Sequence, residues 1–221
     1  MFDLTLTFDN GPEPDVTPRV LDILGERNIK TTFFVIGEKL GDPERRRLAA
    51  RAHDEGHWIG NHTFTHTVPL GQQRDPLAAQ HEIGQTQDAI GELAHPQRWF
   101  RPFGGGGNLD DRLLKPSVVE YIARNKHSCV LWNAIPRDWD DPDGWADRAL
   151  EQCQSQPWSL MVLHDLPSGA MDHLDRFIDR AAKAGVRFRQ DFPPDCVPIR
   201  SGEIVRSIEP YVSSIEESAE Q

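Results

Sequence analysis

Five short stretches of the sequence carry side chains suited to proton transfer or metal binding. LTFDNGP places Asp9 and Asn10 at the end of an apolar run. A carboxylate there can serve as a base, and the Asn-Gly that follows can make either a hairpin turn or a loop that presents the acid. NHTFTH sets His62 and His66 four residues apart. On a helical turn both imidazoles face one side and can hold one zinc-like ion through nitrogen, although a surface or hydrogen-bonded pair has the same spacing. FRPFGGGGN follows Arg101 with four successive glycines. No Lys-Ser or Lys-Thr closes that loop and the G-x-G-x-x-G spacing is missing, which argues against a phosphate cradle. It reads as a flexible loop, or as a backbone that approaches a substrate closely and offers N–H groups to an oxyanion. Asp138 in PRDW and His164 with Asp165 in LMVLHD complete the set. An Asp–His pair orients an imidazole in catalytic and in purely structural settings alike. His53, His57, His81, His95, His127 and His173 have no such context and read as surface or locally hydrogen-bonded groups.

These groups need elements to hold them. Phe2, Leu4, Leu6 and Phe8 alternate with Asp3, Thr5, Thr7 and Asp9, the period of a strand that ends at the acid. Thr17-Pro18, Asp42-Pro43 and Asp75-Pro76 each read as an N-cap followed by proline in the first helical turn. Six further apolar runs, TTFFVIG, HWIGN, RWFRP, SCVLWN, SLMVLHD and VRFRQ, bring the predicted strands to seven. Strands alternating with helices imply βαβ units and a parallel sheet. The candidate residues fall at or just beyond the carboxyl ends of those strands, where parallel barrels build their sites. The sequence therefore predicts an α/β fold, a distorted (β/α) barrel of about seven parallel strands, with an open doubly wound sheet as the other fit. Residues 1–209 form the expected domain. Residues 210–221, PYVSSIEESAEQ, read as an acidic tail of low order.

With 35 acidic and 24 basic residues the net charge is −11, so the chain lacks the basic face that nucleic acid or an anionic membrane requires. Cys129, Cys153 and Cys196 are odd in number and form no C-x-x-C pair, which fits reduced thiols. The strand starts directly after Met1, without a leader or an apolar run of spanning length, and a cytoplasmic location is the expectation.

Taken in order, the motifs resemble those of the polysaccharide deacetylase family, the NodB-homology enzymes of carbohydrate esterase family 4. TFDNGP resembles TFDDGP, HTFTH matches H-[ST]-x-x-H, RPFGG resembles R-x-P-Y-G, RDW matches the end of the fourth motif and LHD the fifth. The resemblance implies a distorted barrel that removes acetyl groups from N-acetylated sugars with the help of a divalent metal, usually zinc. It implies Asp9 as general base, His164 as general acid, Arg101 and Asp138 as the residues that orient them, and His62, His66 and Asn10 at the metal. It further implies an oxyanion donor in the backbone near Phe103 or Gly104, and Trp139 with Leu163 as walls of the acetyl pocket. Three departures from the pattern stand out. Asn10 stands in place of the usual aspartate ligand, Phe103-Gly104 in place of Pro-Tyr, and Ile135 where the fourth motif often has another acid. The first departure implies weakened metal occupancy. An allantoinase-like hydrolase of a small linear or cyclic amide, needing no metal, is the competing reading. A carbohydrate-binding barrel without activity is a third, against which the retained Asp9, Arg101, Asp138 and His164 argue.

Overall fold

The run FDLTLTFD forms β1 (Phe2–Asp9), and from Asp3 onward both of its faces are buried. Period-two alternation ordinarily marks a half-solvated strand, but in a parallel sheet both faces are covered. Leu4, Leu6 and Phe8 pack into the main apolar cluster, while Thr7 and Asp9 turn to the opposite face and meet the buried Arg101 guanidinium there. The last two polar residues of the alternation thus face a buried cation, not water, while Asp3 pairs with Arg187 and Arg189 at the other end of the strand.

The computed structural model describes residues 2–214. β2 (Thr32–Val35), β3 (Trp58–Asn61), β4 (Trp99–Phe100) and β5 (Ser128–Cys129) follow β1 in order on one side, and β6 (Trp158–His164) lies on the other. β6 pairs with β1 along Asp3–Asp9. The other edge of β1 is shared: β7 (Val186–Arg189) takes Phe2–Thr5 and β2 takes Thr7–Asp9. Seven strands are therefore parallel, in one curled sheet. A two-strand addition was not evident in the sequence pattern. β8 (Ile199–Arg200) runs antiparallel to β5 and turns into β9 (Glu203–Ile204) through Ser201-Gly202, both at positive φ as a tight hairpin of this kind requires.

Helices α1 (Thr17–Glu26), α2 (Pro43–Asp54), α3 (Gln85–Ile90), α4 (Pro116–Arg124), α5 (Trp145–Gln154) and α6 (Leu174–Lys183) make the crossovers. Val20, Leu21 and Leu24 of α1, Ala149 and Cys153 of α5, and Phe177 and Ile178 of α6 cover the outer face of β1. Of the expected caps, Asp42 accepts from the N–H of Glu44 and starts α2. Thr17 does not cap α1. The N-cap is Val16, and the Thr17 hydroxyl instead accepts from the Glu13 N–H and donates to Asp165. Asp75 accepts from the Leu77 N–H ahead of a helical run that starts at residue 78, passes through a π-helical turn, Gln80–Gly84, and continues as α3. The body of the fold also runs past residue 209. Tyr211 O accepts from Leu114 N–H and Ser213 N–H donates to Leu114 O, each at 2.9 Å, so this part of the expected tail is tied down. Residues 215–221 lie outside the described residues. Among the described residues the three cysteines are free and buried, and no helix is long and apolar enough to cross a membrane.

One close approach links the sheet to the site. A Cβ on Gly60 of β3 would lie 2.5 Å from the Phe34 ring, and that ring carries the Arg101 guanidinium at 4.1 Å. Gly60→Ala is expected to destabilise the protein by about 1–3 kcal/mol through overpacking, read as a lowered urea midpoint. An unchanged midpoint would show that Phe34 has room to move.

Candidate active site

The carboxyl ends of β1, β3, β4 and β6 meet at one pocket of about 260 Å3. Asp9 and His164 are register partners on adjacent strands, so β1 and β6 deliver them side by side. His62 directly follows β3 and Arg101 directly follows β4, where its N–H donates to Asn61 O at 2.9 Å.

Arg101 has no exposed surface and lies behind the pocket. Nη1 donates to Asp9 Oδ1 at 2.8 Å and to Thr7 Oγ1 at 2.7 Å, and Nε and Nη2 reach the Val130 and Leu131 carbonyls. A buried guanidinium is tolerated only when its charge is paired and its donors are met. Arg101 thereby fixes Asp9 by one oxygen and leaves Oδ2 near His62, 3.5 Å from Nε2. On the other wall, Asp138 Oδ1 accepts from His164 Nδ1 and Oδ2 from the His164 N–H, both at 2.8 Å. That fixes the proton on Nδ1 and turns Nε2 to the pocket. Burial opposes the charged imidazole, but the Asp138 bond and charge outweigh it and raise the His164 pKa above the ordinary value.

His62 and His66 are brought together with ring centroids 4.8 Å apart. The expected helical turn is not what joins them. The segment is an irregular loop with Thr63 at φ 66° and His66 at φ 53°, both left-handed. His62 Nδ1 donates to the Arg101 carbonyl at 2.9 Å, which leaves Nε2 as a free lone pair. Burial holds both histidines down to about 3, so they are neutral, as metal ligands must be. Asn10, at φ 75°, lines the same pocket, and its buried Oδ1 has no hydrogen-bond partner among the described residues. An orphaned buried amide oxygen beside two neutral imidazoles fits a divalent cation, since zinc accepts nitrogen and oxygen donors. Among the described residues no three His, Cys, Asp or Glu side chains form such a group, and what Asn10 offers beside the two histidines is an uncharged amide.

Trp139 lines the pocket with its ring set edge-on to His164, centroids 4.8 Å apart. Phe103 and Gly104 line it as well, and Phe103 packs on His66 at 4.0 Å. Leu163 does not reach it. Side chains alternate along β6, so Val162 and His164 face inward while Leu163 joins the outer cluster; Val162 and Leu166 make the wall assigned to Leu163. That same period was present in the sequence and would have favoured Val162. Trp132 and Ile135 complete the apolar side, and nothing in their local sequence singled them out. The glycine loop is packed, not loose: a Cβ on Gly104 would lie 2.6 Å from Trp132, and one on Gly107 2.5 Å from Ile135.

The sequence profile of the polysaccharide deacetylase family matches residues 3–116. A chitooligosaccharide deacetylase of Rhizobium leguminosarum bv. phaseoli is 36% identical over 172 residues, 73% of this chain and 67% of that protein. A peptidoglycan-N-acetylglucosamine deacetylase of Bacillus cereus is 30% identical over 193 residues, 84% of this chain and 66% of that one. The chain thus spans about two thirds of the length of these curated relatives. A family 4 acetyl xylan esterase from Clostridium thermocellum, solved in complex with a cobalt ion, superposes with a TM-score of 0.67 at 26% identity, over 85% of this chain and 87% of that one.

Asp165 stands beside His164 but behind the pocket. Its carboxylate is buried, with Oδ2 bonded by Thr17 and Oδ1 unpartnered among the described residues; a Cβ on Gly11 would fall 2.2 Å from it. Burial lifts its pKa from 3.8 to about 7. The folded state therefore keeps a proton that the unfolded chain releases, and the Asp165 contribution to stability falls as pH rises from about 4 to about 7. Buried His57 and His127, held down to about 4, contribute with the opposite sign. Asp165→Asn removes only the falling component. Relative to wild type, the variant is expected to gain stability between pH 4.5 and 7.5 by up to about 1.4 kcal/mol per pH unit in urea unfolding. A pH-independent difference would contradict the shift.

Proposed function

The chain belongs to the polysaccharide deacetylase family, and from that membership we propose that it hydrolyses the N-acetyl group of amino-sugar residues in an oligosaccharide, leaving the amine and acetate. One observation carries the proposal. A cation-held carboxylate, Asp9–Arg101, and a carboxylate-held imidazole, His164–Asp138, face one apolar-walled pocket.

Amide hydrolysis needs a proton taken from the attacking water and a proton given to the departing amine. Asp9 is the base: Arg101 pins Oδ1, and Oδ2 receives the proton. His164 is the acid, since Asp138 keeps Nδ1 occupied and the imidazole charged at higher pH, with Nε2 directed at the leaving nitrogen. The backbone at Phe103 or Gly104 supplies the N–H donor for the developing oxyanion. Trp132, Ile135, Trp139 and Val162 enclose the acetyl methyl and exclude water from it. His62, His66 and Asn10 are the residues that would hold a divalent ion, zinc by the donor set. Such an ion supplies Lewis-acid polarisation and lowers the pKa of water at the site. The N-acetylglucosamine oligomers and peptidoglycan named for the relatives are the substrates to test first.

Acetate release from chito-oligosaccharides and from N-acetylated peptidoglycan is the test. Asp9→Asn and His164→Gln should each lower kcat by about 10²–10⁴-fold with cooperative unfolding retained. The amide is preferred at Asp9 because Asp9→Ala would strand Arg101, a loss of about 3–5 kcal/mol for a broken buried pair. Near-wild-type turnover in either variant removes the assignment. Sugar binding without acetate release would favour a non-catalytic barrel.

The metal is tested separately, because an amide oxygen carries no charge to offset the cation. Asn10→Asp is expected to tighten Zn²⁺ binding by at least about 10-fold in a calorimetric titration. Equal affinities would put Asn10 outside the ligand set. Activity that persists undiminished in chelator would favour the metal-independent amide hydrolase.

A further inference from the structure

Glu82 is an acid at 6% exposure, on the π-helical turn Gln80–Gly84. No catalytic step above uses it. Its Oε2 accepts from the backbone N–H of Phe64 at 2.8 Å and of Thr65 at 2.9 Å, and its Oε1 from the Thr65 hydroxyl at 2.6 Å. Those two residues sit between His62 and His66. The loop there has left its strand and entered no helix, so its N–H groups have no ladder partner. It is also bent through left-handed φ at Thr63 and at His66, a state that non-glycine residues hold only when their surroundings enforce it.

The other ties on this loop lie elsewhere. Asn61 Oδ1 accepts from the Thr63 N–H, and the Thr63 and Phe64 carbonyls accept from the Gly37 and Glu38 N–H groups. Among the described residues only Glu82 takes the N–H groups immediately before His66. A π-turn inserts one residue into a helix and displaces the side chains on it, a device frequent at functional sites. Here it brings a carboxylate under the loop, and the Thr86 hydroxyl in turn bonds Glu82 O at 2.8 Å.

We propose that Glu82 is a positioning residue for the metal site: it holds the His62–His66 loop in its left-handed form and so keeps the two imidazoles converged before any ion arrives. This rests on the reading of His62 and His66 as ligands. Without Glu82 the loop can relax toward ordinary φ values, and the His66 ring swings away from His62. Ordering that was complete beforehand must then be supplied by the binding event, which weakens affinity.

The test is a Zn²⁺ titration by calorimetry of the metal-stripped full chain, with hydrogen exchange of the Phe64 and Thr65 amides followed by NMR. Glu82→Ala is expected to bind Zn²⁺ about 10–100-fold more weakly and to exchange both amides faster. Glu82→Gln keeps an oxygen for the two N–H groups, and its NH2 can donate to the Thr65 hydroxyl, which rotates to accept, so it should retain most of the affinity. Wild-type affinity in Glu82→Ala, or lost affinity with both amides as protected as before, overturns the role. If Glu82→Ala does not fold, Thr65→Val decides: it removes one of the three bonds at an exposed position and should weaken Zn²⁺ binding several-fold, and unchanged binding overturns the role. A wild-type chain that binds no Zn²⁺ overturns the metal reading itself, an outcome distinct from equal binding by wild type and variants.

Discussion

Arg101 is a cation with no exposed surface at the end of a strand only two residues long, and the surrounding structure is arranged to keep it satisfied. Asp9 and Thr7 serve it from β1, which is why the inward face of that strand is polar although buried. The Val130 and Leu131 carbonyls turn toward it just where β5 stops after Cys129. Phe34 lies flat beneath it, with Gly60 making the room. Its own carbonyl orients His62. One residue therefore sets the position of Asp9 through its guanidinium and the tautomer of a candidate ligand through its backbone carbonyl.

The two oriented pairs are of opposite sign, and that difference assigns their chemistry. A carboxylate pinned through one oxygen by a cation has its other oxygen available to accept a proton. An imidazole held by an anion is kept charged and can donate one. Between them sit histidines that burial keeps neutral. The loop that carries Asn10 is clamped from outside: Lys39 Nζ donates to Asn10 O at 2.7 Å, and Lys39 and Arg45 both pair with Glu13. Its geometry is thus fixed independently of any ion.

The apolar wall explains a stretch that looks featureless in isolation. Gly104 and Gly107 pack their bare backbones on Trp132, Ile135 and Trp139, and Gly107 sits at φ 79°. Side chains there would collide with the wall. Ile135, in a position where related motifs often carry an acid, belongs to this packing and makes the pocket less polar on that side.

The strand ends, and hence the acids and histidines that follow them, were legible in the sequence, because strand period and apolar runs are local signals. Asp9 and His164 each end an apolar run that is a strand, and His62 and Arg101 each directly follow one. The cap at Asp42 is local too, and it forms as read. What local pattern could not supply was the partner of a group distant in sequence. Thr17 looked like a cap and instead serves Asp165, 148 residues away. The His62–His66 spacing looked helical, yet the loop is held left-handed by Glu82 from another element. Leu163 and Val162 are both apolar; strand period puts Val162 on the same side as His164, and the curl of the sheet made that the pocket side. The sequence by itself determined which residues reach the carboxyl ends of the strands, since that depends on neighbours along the chain. The tertiary structure alone decided which of them touch, which way they point and which remain charged, since burial and hydrogen-bond partners exist only once the sheet has closed around Arg101.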